Sequence, residues 1–482
     1  MISRRSHGPA TALLAAAIIV ALSGCVDRGG WKAASQVAPA QLAGEQALAG
    51  VPVDPSAWPA EGWWHRFGDP QLDTLVDAAF AGSPSLTAAE ARLRAAQAQA
   101  LAAGALKLPT VALDAQVDRQ RYPENGLYPP PYAGNYYNDG RVAFDLSYDI
   151  DFWGRNRALI SAARSGVDAA EADRAAARLA LAVSVVRAYV QLDLWYALLD
   201  VASDQLKQQT SIMELTQQRV TAGLENVARV KQSESTLALT RAGIAAAQAN
   251  IDLARDQLAA LVAAGPDRGL TLTRPHLTAP AAIALPAALP ADLLGRRPDV
   301  AAARAQVQGA AQGVKAAERD FYPNVNLAAF AGLQSIGLNN LLQGSATIVD
   351  VSPALSLPVF NRRQLRGALE ARQAQFDASV GQYNQTLIDA VHDVADVVAN
   401  WRALDRESAE QQTALEAAQR AYDLTTERYR AGLDNYLSVL SAENQLLFAQ
   451  AVGAELGAQR LTFSVSLVRA LGGGYGAAAP HG

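Results

Sequence analysis

Five histidines, one cysteine and a set of carboxylates on alternate positions are the residues of this chain with the most chemistry to offer. The histidines stand at 7, 65, 276, 392 and 481 and show no metal-ligand spacing. There is no G-x-S-x-G elbow and no phosphate-binding loop. The glycines of GGGYG (472–476) precede AAAPHG instead of a helix, so they read as a flexible tail over 472–482. No enzymatic role is expected, and no cofactor beyond a covalent lipid.

That lipid belongs to Cys25, the only cysteine in 482 residues, which therefore has no internal disulfide partner. It follows Arg4, Arg5 and an apolar run from Thr11 to Leu22, which is shorter than the roughly 20 residues a spanning helix needs. A basic start, a short apolar core and small residues before a cut describe a secretory signal peptide, here 1–24. Leu22-Ser23-Gly24-Cys25 resembles the bacterial lipobox, which implies acyl chains on Cys25. Val26 in the next position implies sorting to the outer membrane. Two or more chains anchor a protein stably.

The carboxylates sit on strands. In VALDAQV, Val111, Leu113, Ala115 and Val117 alternate with Ala112, Asp114, Gln116 and Asp118. In VAFDLSYDID, Val142, Phe144, Leu146, Tyr148 and Ile150 alternate with Ala143, Asp145, Ser147, Asp149 and Asp151. Weaker alternation follows around Val325, Leu327 and Ala329, then around Val349, Val351 and Leu355. The pattern predicts strands over about 110–121, 139–151, 324–334 and 347–358. One apolar and one acidic face suit either a soluble sheet over a core or a membrane barrel with lipid outside and water inside. In the barrel, Asp114, Asp118, Asp145 and Asp149 face the lumen and bias it toward cations. The tyrosines of 122–138, and Phe152, Trp153, Phe321 and Tyr322, then supply two interfacial belts.

The elements that position these residues occur twice. Residues 83–113 align without a gap to 297–327, and RVTAGLEN (219–226) matches RYRAGLDN (428–435). Each unit reads helix, strand, loop, strand, long helix, sharp turn, long helix. The units run 62–265 and 291–471, joined by a linker over 266–290 and preceded by a lipidated linker over 25–61. Residues 156–218 contain no proline and one glycine, and would span roughly 95 Å as one helix. Residues 364–429 behave alike, with glycines only at 367 and 381. Gly223 and Gly432 supply the left-handed conformation for the turns between long helices, which then pair as a coiled coil.

A formal charge of −5 argues against a nucleic-acid partner. After the signal there is no apolar run of 18 residues, so no transmembrane helix is expected. Any membrane-embedded part is then β. Four strands cannot close such a barrel, because about eight is the minimum. Three copies supply twelve. The expected fold is mainly α with a membrane β part: long antiparallel coiled-coil helices forming an α-barrel, plus four strands per protomer contributing to a 12-stranded trimeric β-barrel.

YDIDFWGRNR (148–157), ADLLGRRPDVAAARAQVQGA (291–310), RDFYPNVNLAAF (319–330) and RYRAGLDNYLSVLSAENQLL (428–447) resemble the TolC-like outer membrane factors, in particular the NodT-type efflux lipoproteins. The resemblance implies a homotrimeric channel-tunnel in the outer membrane, its helical barrel in the periplasm. There it meets a periplasmic adaptor (membrane fusion) protein and an inner-membrane transporter, and it passes small molecules or drugs outward. A protein-secretion duct of the type I kind and a non-channel coiled-coil lipoprotein are the alternatives. The resemblance also implies a periplasmic gate at the helix turns, around Gly223 and Gly432. Tyr429 stands at the family's tyrosine position, Asp434 where an arginine is usual, and Arg229 where its aspartate partner is usual. Ser438 and Ser441 replace the aspartates of the constriction. An Arg229–Asp434 contact is therefore expected to hold the turns shut, with Glu225 and Arg430 as further partners.

Overall fold

The computed structural model describes residues 30–38, 41–42, 44–54, 57–280, 283–286, 295–358 and 360–476. Cys25 and the signal segment lie outside the described residues, as do 287–294 and 477–482.

Seven helices carry the architecture: α1 Pro70–Gly82, α2 Pro84–Gly104, α3 Arg155–Thr221, α4 Val227–Leu261, α5 Pro298–Arg319, α6 Arg362–Arg430 and α7 Tyr436–Ala470. Their ends follow local chemistry. Pro70 opens α1, and the Asp69 side chain caps it by accepting from the Gln71 N–H at 2.9 Å. Pro84 and Pro298 open the equivalent helices of the two repeats. At 67 and 69 residues, α3 and α6 are each about 100 Å long. Alanine-rich stretches without proline allow that length, and burial against neighbours stabilises it.

Four strands form one antiparallel sheet in the order β1-β2-β3-β4: Thr110–Arg121, Tyr136–Ile150, Asn324–Ile336 and Thr347–Ser356. All four expected strands are present, the second starting three residues early because Tyr136 pairs with Arg121.

The chain falls into two compact units, and neither is a sequence repeat. One takes the described residues up to Gln36 with Leu93–Ala169 and Ala303–Tyr383; the other takes Val37–Arg92, Ala170–Ala302 and the described residues from Asn384 on. Each unit draws on both repeats. The first holds the sheet. Its N-terminal segment is pinned to α6, with Trp31 Nε1 and the Ala34 N–H donating to the two Asp377 oxygens at 2.8 and 2.9 Å. The second holds the main core, where Phe67, Leu72, Leu75 and Val76 pack with Val185, Val186, Tyr189 and Leu258. Asp69 lies buried there and accepts from the Tyr189 hydroxyl at 2.7 Å and the His276 N–H at 2.8 Å.

Two expectations need correction. Helix α3 does contain an 18-residue window apolar enough, by length and composition, to cross a membrane. Half of that window is buried, and Val185, Val186 and Leu192 from α3 belong to the core, so its hydrophobicity is already used by packing. The glycines after α7 are not a loose tail. Gly472, Gly473 and Gly474 all have positive φ, and the Gly473 N–H bonds to the Val468 carbonyl at 2.9 Å. A Cβ on Gly474 would collide with the Ala60–Glu61 backbone, and one on Gly473 with Leu179. Glycine is needed because the chain winds closely over its neighbours.

Candidate functional site: a two-faced sheet and two matched turns

Strand register sorts the sheet side chains onto two faces. Val111, Leu113 and Val117 on β1 neighbour Leu146, Phe144 and Gly140 on β2, which continue to Ala329, Ala331 and Ser335 on β3. Val325, Ala329 and Ala331 meet Leu355, Val351 and Val349 on β4. This apolar face is open to the surroundings: Val111, Leu113, Phe144, Val349, Val351 and Leu355 are each more than half exposed. A patch running unbroken across four strands is far larger than an isolated soluble chain tolerates, and it matches the lipid-facing surface of a barrel.

The opposite face carries the expected carboxylates. Asp114 lies across from Ala143, Asp145 across from Ala112, and Asp149 across from Asn326, while Asp118 faces Asp139. Asp139 and Asp350 join the same face by register and were not anticipated, although Asp350 was visible on the polar side of its strand. Outer strands β1 and β4 have no further strand beside them among the described residues. Aromatic side chains gather at both ends of the strands. Trp153 stacks on Tyr322 with ring centroids 5.0 Å apart, and Tyr122 packs edge-on against Tyr128 at 4.9 Å.

The two helix turns, both in the second unit, are built alike. In the first, the Leu224 N–H bonds to the Arg219 carbonyl at 2.8 Å and the Gly223 N–H to the Val220 carbonyl at 3.0 Å. In the second, Leu433 bonds to Arg428 at 2.8 Å and Gly432 to Tyr429 at 3.0 Å. Both are Schellman caps with glycine at φ +72. Asn226 and Asn435 then cap the next helices, accepting from Ala228 and Ser438 N–H groups at 2.9 and 3.2 Å. A Cβ on Gly223 would meet nothing within 4 Å, so the backbone conformation alone demands glycine. Gly223→Ala should cost about 1–2 kcal/mol locally, read as faster amide exchange confined to 219–230.

The expected Arg229–Asp434 pair is not formed within the chain. Arg229 instead lies 3.9 Å from Glu225, one turn before it, and donates to Gln232 at 3.1 Å. Asp434 accepts from Arg428 Nε at 3.4 Å and from its neighbour's N–H. The Ser438 hydroxyl, that N–H and the Arg428 charge hold its carboxyl below the usual range. The reason is the repeat itself: Arg219 and Glu225 correspond to Arg428 and Asp434, so each turn supplies an acid for its own arginine. Arg430 and Ser441 are exposed, and Ser438 is half-buried.

Two residues that sequence reasoning passed over join the turns to each other. Arg219 Nη1 donates to the Tyr429 carbonyl at 3.2 Å, and its guanidinium lies 4.8 Å from the Tyr429 ring centroid. Tyr429 is fully buried, its hydroxyl 3.2 Å from that of Thr216. The signal for Arg219 was its place in the repeat, 209 positions before Arg428.

A third overlooked residue lies behind the second turn. Tyr436, Val439, Glu443 and Leu446 recur on the buried stripe of α7. Glu443 is 2 % exposed and its Oε1 has no hydrogen-bond partner. Burial pushes its carboxyl up to about 7, with only the Gln209 amide drawing it back.

Comparison with known proteins agrees with this geometry. The chain matches the family described as outer membrane efflux protein twice, over residues 75–264 and 289–473. It is 39% identical over 375 residues to the fusaric acid resistance protein FusA of Burkholderia cepacia, covering 76% of this chain and 71% of that one. It is 31% identical over 429 residues to the multidrug resistance outer membrane protein MdtP of Escherichia coli strain K12, covering 87% and 88%. Among solved structures, the outer membrane protein VceC of Vibrio cholerae superposes with a TM-score of 0.81 at 37% identity, over 87% of this chain and all of that one. With an acidic and an apolar sheet face, duplicated helix turns and this match in both halves, the chain belongs to the outer membrane efflux protein family.

Proposed function

We propose that three copies of this chain close a 12-stranded barrel in the outer membrane, and that the closed barrel is the passive exit duct of a small-molecule efflux system. The observation that carries this reading is the four-stranded sheet with one exposed apolar face, one acidic face and two outer strands free to pair. Such a sheet is satisfied only by closure against further copies in lipid. Resistance to drugs or to fusaric acid is the role named for its relatives, and export of comparable small molecules is the reading for this chain. Cys25 serves as the lipid attachment point that holds the N-terminus at the membrane.

The helix turns are the docking end. Leu224 and Leu433 are 68% and 69% exposed at matching places in the two turns, so a trimer would present six apolar knobs. A periplasmic adaptor, linked to an inner-membrane transporter, is the partner such knobs suit. The Arg219–Tyr429–Thr216 contact replaces Arg229–Asp434 as the link that keeps each protomer's turns together.

Photo-crosslinkers at Thr221 and Asn435 in cells, with adducts identified by mass spectrometry, test this. An adaptor protein among the products is the expected result. Adducts only to peptidoglycan-binding or structural proteins would favour an anchored coiled coil without transport.

A further inference from the structure

The acidic face of the sheet is not uniformly acidic. Asp114, Asp118, Asp139, Asp145, Asp149 and Asp350 share it with one base, Arg141. Arg141 donates from its two terminal nitrogens to both oxygens of Asp145, at 2.9 and 2.6 Å. Its guanidinium carbon also lies 5.2 Å from the centroid of the Phe330 ring. Phe330 is directly opposite Asp145 on one side and Asp350 on the other, in a single layer across β2, β3 and β4. Ser352 donates to Asp350 and fixes its direction. In the adjacent layer Ala143 faces Gly332, where a Cβ would fall onto the Val142 carbonyl and Ala143. Gly332 adds no side chain beside the ring in its own strand, and Ile348 on β4 is the one large side chain of that layer.

A large aromatic ring is out of place on a wetted barrel face, where it adds nothing to lipid contact or to a core. An aromatic face between two carboxylates does have a recognisable chemistry: it attracts a flat organic cation by its quadrupole while the carboxylates take the charge and the N–H donors. Arg141 occupies that arrangement as a planar cation would. An inorganic cation, which keeps its water shell, would gain from the carboxylates but nothing from Phe330.

We propose that Asp145, Phe330 and Asp350 form a seat for planar organic cations on the channel lumen, and that Arg141 is a tethered competitor that weakens it. The proposal rests on the efflux-channel reading only in taking this face as the one cargo passes. A seat kept weak by an internal competitor suits a conduit, because a passing cation is drawn in and then released. Arg141 and Phe330 are thus specificity-determining residues that favour flat, charged aromatic cargo over anions and over compact cations.

Equilibrium binding tests this without requiring transport, so failure of the seat and failure of the efflux role are separate results. Ethidium is the probe, read by fluorescence anisotropy on the full-length, detergent-solubilised oligomer at fixed salt. Arg141→Gln should tighten ethidium binding roughly two- to fivefold, the factor a partly exposed cation–π contact is worth. Adding Phe330→Leu to Arg141→Gln should remove that gain. Magnesium ion, which keeps its water shell and gains nothing from an aromatic ring, should respond to neither change by more than the added negative charge dictates when titrated against bound ethidium. The proposal is overturned by unchanged or weaker ethidium binding in Arg141→Gln. It is equally overturned if Arg141→Gln and the double variant bind ethidium alike, since the bulk charge of the lumen would then account for the attraction. If Phe330→Leu loses the oligomer on gel filtration, Phe330→Met keeps the volume and serves in its place.

Discussion

Glu443→Gln should stabilise the helical segment behind the second turn by on the order of 3 kcal/mol at pH 8 and leave it nearly unchanged at pH 4.5. The sign follows from where the proton sits. Glu443 starts from an ordinary value of 4.5 and is raised to about 7 by burial. Between those two values the folded chain keeps a proton that the unfolded chain has released, so stability falls as pH rises from about 4.5 to about 7 and stays low above it. Glutamine has the shape of the protonated acid and no charge to bury, so the variant should show a flat profile. Amide exchange of residues 436–450 at pH 5 and pH 8, corrected for intrinsic rates, reads the difference. Equal protection of wild type and variant at pH 8 would mean the carboxylate is tolerated where it lies, and the argument from burial would be wrong. In the cell the same carboxyl would titrate near neutrality, which makes the segment behind the turn sensitive to periplasmic acidity.

Arg219→Ala should loosen the two turns from one another, while the same change at its repeat counterpart, Arg428→Ala, should do little. Arg219 is only 16% exposed and holds the Tyr429 carbonyl, the Tyr429 ring and the neighbourhood of Glu225 at once. A hydrogen bond from a charged donor contributes about 1.5–3 kcal/mol, and its loss would leave the Tyr429 carbonyl to the Gly432 N–H alone. Arg428 is 59% exposed and reaches only Asp434 and the Leu433 carbonyl, both at 3.4 Å. Exposed pairs of that kind are worth about 0–1 kcal/mol. If the turns form the closed end of the channel, a shift of that size in Arg219→Ala changes the open fraction roughly ten- to a hundredfold. Single-channel conductance in planar bilayers should therefore rise in Arg219→Ala and stay near wild type in Arg428→Ala. Identical traces from the two variants would remove Arg219 from the closing contact.

The difference between these two arginines shows what could and could not be read from the chain alone. Strand alternation around Asp114 and Asp145 located the sheet and its two faces, because a period of two survives any tertiary context. The duplicated AGLEN and AGLDN stretches located both turns, because glycine past a helix end has a local cause. Glu443 was also legible in principle, as one acid in an otherwise apolar stripe of α7. Partner choice was not legible. Arg219 and Arg428 occupy equivalent positions with equivalent acids six residues on, and only packing makes one buried and the other exposed. The Arg229–Asp434 pair is absent within one chain for the same reason: charges of opposite sign on two segments do not say which will meet when each already has a local acid or base. The glycines at 472–474 misled because low complexity resembles looseness until the surfaces against which they pack are known.

The matched turns carry a consequence in evolutionary terms. A segment that exists twice in one gene is free to diverge, since mutation in one copy leaves the other intact. Here both copies kept the cap, the asparagine and the acid, yet one arginine became the internal fastener and its twin was left facing outward. Such division of labour between duplicated halves leaves the outward copy open to change while the inward copy keeps the two turns of one chain together.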